Sequence, residues 1–133
     1  MASVKEEIIM SKALFLDTIN KSTRVVDVNT LEDYYKLIGC RCIDIVTRKI
    51  GRKVYDIICD DEGALTDDPL ISAIDDIGRV MLVGNLIVCG LADDEGELTD
   101  LNPADIRYIK KRVQTLDTRK HADLLMLTSC NYC

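Results

Sequence analysis

The stretch Arg79-Val80-Met81-Leu82-Val83-Gly84-Asn85-Leu86-Ile87-Val88-Cys89-Gly90 decides how the rest of the chain is read. It is the longest apolar run, rich in β-branched residues, and Gly84, Asn85 and Gly90 interrupt it. A membrane span needs about 18–20 continuous apolar residues, so this run predicts a buried central strand, or a sharply bent pair, in a soluble protein with no membrane partner. Asn85 is its anomaly. A buried amide needs partners, so it either closes a bend or reads the polar edge of a ligand.

Upstream, Cys42–Val46 and Val54–Cys59 are β-rich segments on either side of a basic turn at Gly51, and they read as a hairpin. Asp60-Asp61-Glu62-Gly63 ends it, and Ala64–Asp76, with Pro69, reads as a long connection. An earlier hairpin is predicted from Ala13–Asp17 and Arg24–Val28. Asn29-Thr30-Leu31-Glu32 then has the form of an N-cap with a glutamate three positions later. The helix it opens should run from Thr30 to about Ile38, with Leu31, Tyr34, Tyr35 and Ile38 inward and Gly39 as the left-handed stop.

Downstream, Asn102 is a good N-cap and Pro103 suits the first helical position. Ile106, Ile109, Val113 and Leu116 follow at helical spacing, so an amphipathic helix with a basic outer face is expected to about Arg119. Residues 121–133 read as a helix extension or an interface tail. Residues 1–11 read as a flexible appendage, since the hydrophobic pattern starts only at Ala13, and their acids and lack of a long apolar core give no export signal. The expectation is one α+β domain over residues 1–133, with a small, mainly antiparallel sheet, a short N-terminal helix and a longer C-terminal amphipathic helix.

A chain of 133 residues suffices for one core and not for two ordinary domains. The formal net charge of −6 disfavours duplex nucleic acid as a partner, yet the charge is uneven. Ten of the 17 basic residues fall in two clusters: Arg48, Lys49, Arg52 and Lys53, then Arg107, Lys110, Lys111, Arg112, Arg119 and Lys120. These are either solvated faces or anion sites. A small phosphorylated ligand suits them better than a long polyanion, which the acidic remainder would repel.

No catalytic residue is assigned. His121 is the single imidazole and has no nucleophile context, while Asp60-Asp61-Glu62 and Asp93-Asp94-Glu95-Gly96-Glu97 lack the ligand order of a calcium loop. Six cysteines without an export signal read as reduced thiols; Cys40, Cys42, Cys130 and Cys133 fit zinc spacing poorly, so no metal and no cofactor is expected. Arginine forks match phosphate oxygens and a tyrosine ring stacks on a base. The candidate ligand residues are therefore Asn85, Asn102, Arg107, Tyr108, Lys111, Arg112 and Arg119, with Arg48, Lys49 and Arg52 as a possible second anion site.

The order of four segments resembles a family of small proteins, mostly of phages and Gram-positive bacteria, known as a domain of unknown function. The segments are Asn29–Gly39, Asp56–Gly63, Leu82–Val88 and Leu101–Ile106, within about Lys12 to Arg112. That family includes the phage Thoeris anti-defence 1 proteins, to which this chain is similar. The resemblance implies a homo-oligomeric, non-enzymatic sponge in the cytoplasm of the infected bacterial host. Such a sponge sequesters a cyclic ADP-ribose isomer made by TIR-domain enzymes, and some members also take cyclic oligonucleotides. An acidic inhibitor that binds a host defence nuclease is the alternative, and a small nucleotide-processing enzyme is a third class.

Overall fold

The computed structural model describes residues 11–133. The chain forms β1 (Ser11–Asp17), β2 (Ser22–Val28), helix α1 (Leu31–Ile38), β3 (Ile43–Ile50), β4 (Lys53–Asp60) and a 3-10 turn at Gly63–Leu65. It continues through β5 (Ile71–Ile74), β6 (Val80–Val83), β7 (Leu86–Cys89), helix α2 (Pro103–Lys110), β8 (Val113–Leu116), β9 (Leu124–Leu127) and β10 (Cys130–Asn131). A six-stranded sheet has the order β10-β3-β4-β7-β1-β2, and a four-stranded sheet the order β6-β5-β9-β8. Pairing is antiparallel except between β5 and β9, which meet in parallel at Ala73 and Leu127.

Strands β4, β7 and β1 of the large sheet are mostly apolar because both of their faces are covered. Leu14 and Leu16 of β1, Tyr55 and Ile57 of β4, and Leu86 and Val88 of β7 enter a core shared with Ala73 and Leu127 of the small sheet and Ile109 of α2. The alternate residues Ala13, Phe15, Ile58, Ile87 and Cys89 enter a second core closed by Ile38 of α1. Ile57, Ile58, Leu86 and Ile87 are fully buried, and truncating one of them to alanine should cost about 2–5 kcal/mol.

The apolar run around Gly84 is a bent pair whose halves lie in different sheets. Gly84 has φ 76° and donates its N–H to the carbonyl of Leu70 at 2.8 Å. Asn85 closes the bend. Its Oδ1 accepts from the N–H and the hydroxyl of Thr18 at 2.9 and 2.8 Å, and its Nδ2 donates to the Leu37 carbonyl at 3.3 Å.

The expected fold class is corrected: the described chain is mainly β, with ten strands in two sheets and two helices of 8 residues each, and there is no longer C-terminal helix among the described residues. Helix α2 stops at Lys110. Val113 and Leu116 continue the apolar stripe of α2 in sequence, but in the structure they pair with Leu127 and Leu124 across a strand ladder. That long-range ladder overrides a local period that a helix also satisfies. Residues read as a helix extension or interface tail contain β9 and β10, with Leu124, Met126 and Leu127 buried. The expected appendage lies outside the described residues, apart from Ser11.

Two smaller differences concern α1 and the connection before β6. The N-cap is Thr30 rather than Asn29, with Asp33 completing a reciprocal capping box, while Gly39 at φ 79° ends the helix as its sequence implies. Tyr34, Leu37 and Ile38 face the second core, and Leu31 is 56% exposed. Ile71-Ser72-Ala73-Ile74, inside the expected long connection, is strand β5.

Candidate anion site at a hairpin and helix corner

Strands β3 and β4 are joined by two residues, Gly51 and Arg52, with Ile50 opposite Lys53. Gly51 has φ 62°, a backbone that the first position of a type II′ hairpin turn requires and that glycine adopts without steric cost. This tip meets helix α2 and fixes the geometry of the corner. The N–H of Arg52 donates to Tyr108 Oη at 2.7 Å, and a Cβ on Gly51 would lie 2.5 Å from both Tyr108 Oη and Arg112 Nε. Only glycine leaves room for that approach.

Tyr108 is also gripped from just beyond the end of its own helix. The Arg112 guanidinium lies 3.8 Å from the ring centroid and donates through Nη1 to the Tyr108 carbonyl at 2.9 Å. Lys53 Nζ is 5.2 Å from the same centroid and 3.4 Å from Asp105 Oδ1. Asp105 also accepts from the hydroxyl of buried Tyr55 at 2.7 Å, and that hydrogen bond leads the effects that hold its carboxyl below the ordinary range against desolvation. The Asp105 N–H donates to Asn102 Oδ1 at 2.8 Å. Asn102 is thus the N-cap of α2.

The two basic clusters of the sequence therefore meet at one corner, where Arg52, Lys53 and Arg112 engage Tyr108 and Lys111 follows the end of α2, while Lys49 pairs with Val54 and alternates to the opposite face of the sheet from Ile50. Lys53 is paired with Asp105; among the described residues Lys49, Arg52, Arg107, Lys111 and Arg112 make no ion pair with a carboxylate. Arg52, Arg107 and Lys111 are exposed, whereas Arg112 and Tyr108 are half-buried. Arg119 is not with them. It sits in the connection after β8, and four strand residues carry the chain roughly 13 Å from the corner. Asn85 belongs to the bend between β6 and β7. Arg48 faces the small-sheet side of β3 beside the ring of Tyr132, with 4.8 Å from its guanidinium carbon to the centroid.

The acidic turns use carboxylates to cap their own backbone. Asp60 accepts from the Glu62 N–H at 2.9 Å, and Asp93 from the N–H groups of Glu95 and Glu97 at 2.9 and 3.0 Å. His121 Nε2 lies 2.9 Å from Asp68 and ties two loops together. Among the described residues no group of three His, Cys, Asp or Glu side chains converges on a possible metal position. Cys59, Cys89 and Cys130 are buried, and desolvation pushes the Cys89 thiol up to about 12. None of these groups supplies a nucleophile paired with a base.

Sequence reasoning missed one concavity. An open cleft of about 680 Å³ at the far end of β4 is lined in part by Tyr35, Lys36, Arg41, Asp60, Glu62 and Leu65. The corner and the cleft stand at opposite ends of an eight-residue strand, roughly 23 Å apart. Nothing local marks it, because Tyr35 fits an inward helix stripe as well as a cleft wall.

The architecture is a mainly-β domain with a basic corner and no membrane-crossing helix among the described residues. The chain belongs to the family described as a domain of unknown function, DUF3846, whose model matches residues 10–114. The matched span ends within β8, so β9 and β10 lie beyond it. Neither a curated protein nor a solved structure matches the chain.

Proposed function

We propose that this protein is a non-catalytic binder that captures a small phosphate-bearing nucleotide, of the cyclic ADP-ribose isomer class, on the basic corner and withholds it as a signal in a phage-infected bacterial cell. The observation that carries the reading is the meeting of residues 51–53 with Tyr108 and Arg112, in a chain of net charge −6. A diphosphate presents oxygens to guanidinium forks, while the acidic remainder of the surface repels a long polyanion.

Arg52 and Lys111 are the side chains to meet the ligand, being exposed and without a carboxylate partner among the described residues. Tyr108 organises the corner. Its hydroxyl and ring already engage Arg52 and Arg112, so base stacking falls to a group brought by a second copy. Nanomolar capture needs about 12 kcal/mol, and an open corner reaches that only when further walls reduce the exposure of the ligand.

The test is a calorimetric titration with a cyclic ADP-ribose isomer, followed by heating and analysis of the released ligand. Uptake with intact ligand returned supports the reading. A changed product replaces it with an enzyme, and no uptake by folded protein removes it. Arg52→Ala and Lys111→Ala should each weaken binding by about 10- to 100-fold, since a charge-assisted hydrogen bond is worth roughly 1.5–3 kcal/mol.

A further inference from the structure

Strand β3 is eight residues long, yet β10 covers it only at Lys49 and Ile50. Ile43 to Arg48 therefore present an open sheet edge, the kind of surface that pairs with another strand unless it is blocked. The direction of the free backbone groups follows from the hairpin. With Ile50 and Lys53 closing a two-residue turn, the even-numbered residues of β3 bond to β4 and the odd-numbered ones face outward. The Gly51 N–H, donated to Ser129 at 3.0 Å, agrees with that alternation.

Two of the outward groups are capped by neighbouring side chains. Asp44 Oδ1 accepts from the Ile45 N–H at 2.9 Å, and Arg48 Nη1 donates to the Thr47 carbonyl at 3.0 Å. Asp44 is exposed and in no ion pair among the described residues, while Arg48 keeps a buried Nε without a partner. Ile45, between the caps, is 50% exposed. From Asp44 to Arg48 the edge is polar at both ends and apolar in the middle, and only the Tyr132 ring, against Arg48, lies beside its own side chains.

From this geometry we infer that β3 is a self-pairing edge, joining a second copy of the chain in antiparallel register about a twofold axis at Val46. In that register Ile45 faces Thr47 of the second copy as a hydrogen-bonded pair, so the capped N–H and C=O groups find each other. Asp44 and Arg48 of the second copy then fall in a non-hydrogen-bonded pair, where opposite side chains stand closest, and the twofold makes this contact twice. Like faces match, because residues opposite in the register are both even or both odd. Arg48 leaves Tyr132 and gives its unpartnered Nε to a carboxylate.

The other outer strand of this sheet lacks such self-complementarity. In β2 the charges are Arg24 and Asp27, one even and one odd, so a twofold pairing never places them opposite on one face. Both are also engaged within the chain, Arg24 with Phe15 and Asp17 and Asp27 with Lys12. Charge thus selects β3.

The pairing rests on the β3 edge alone and stands or falls separately from ligand capture. Sedimentation of the full chain over a concentration series should show a dimer. Ile45→Pro removes an outward N–H that the ladder to β4 does not use, and it should give a folded monomer. Asp44→Arg and Arg48→Asp each turn two attractive contacts into two repulsive ones and should weaken the dimer about 10- to 100-fold, while the double swap should restore it. Circular dichroism of each variant separates loss of pairing from loss of fold. The inference is overturned by a parent that stays monomeric at every concentration, by a dimer indifferent to Ile45→Pro and to both single reversals, or by single reversals whose weakening the double swap fails to repair.

Discussion

Replacing Gly51 with alanine tests how tightly the hairpin tip is locked to helix α2. The new Cβ enters a residue with φ 62° and lies 2.5 Å from Tyr108 Oη and Arg112 Nε, so both strain and displacement contribute. A left-handed backbone costs a non-glycine residue about 1–2 kcal/mol. Withdrawing Tyr108 loses its hydrogen bond to the Arg52 N–H, about 0.5–1.5 kcal/mol, and the Arg112 contact with its ring, about 0.5–1 kcal/mol. The expected loss is therefore about 2–4.5 kcal/mol, a melting shift on the order of 10 °C for a domain of this size. Tyr108→Phe keeps the ring and removes only the hydroxyl, so it should cost about 1 kcal/mol. Thermal denaturation of the parent and the two variants gives both numbers. A Gly51→Ala protein within about 0.5 kcal/mol of the parent, no more than an ordinary surface change, would refute the locked corner.

Asn85→Leu should destabilise by about 1–3 kcal/mol in a urea titration, because the Thr18 donors and the Leu37 carbonyl lose their partner. Asp105 titrates below its unfolded value, so its contribution is present above about pH 3.9 and is lost as the pH falls through the lower, folded value. Urea midpoints between neutral and strongly acidic pH should fall less steeply for Asp105→Asn than for the parent. Maleimide labelling read by mass spectrometry should modify exposed Cys42 and Cys133 quickly and leave buried Cys59, Cys89 and Cys130 until denaturant is added.

The sequence made the strands with two covered faces plain, because Ala13–Leu16, Ile57–Cys59 and Leu86–Cys89 are continuous apolar runs. Gly51 and Gly39 marked their turns for the same reason: each needs a positive φ. The C-terminal helix was misread because Val113 and Leu116 fall at helical spacing from Ile106, and their true partners lie across a chain reversal, at Leu127 and Leu124. Strand β5 was hidden by its shortness and by polar flanks. At the site, both basic clusters were visible, but not the contact that unites them, which joins residues 56 apart through one tyrosine hydroxyl. Local patterns carry periodicity and turn chemistry, whereas which two surfaces meet is set by the packing of both sheets.

The most direct measurement is a backbone amide NMR titration of the protein with a cyclic ADP-ribose isomer. The account predicts saturable shifts concentrated at Gly51, Arg52, Tyr108 and Lys111, with much smaller changes at Tyr35, Lys36 and Arg41 in the distant cleft. Shifts centred on the cleft, or none anywhere in a folded sample, would contradict it.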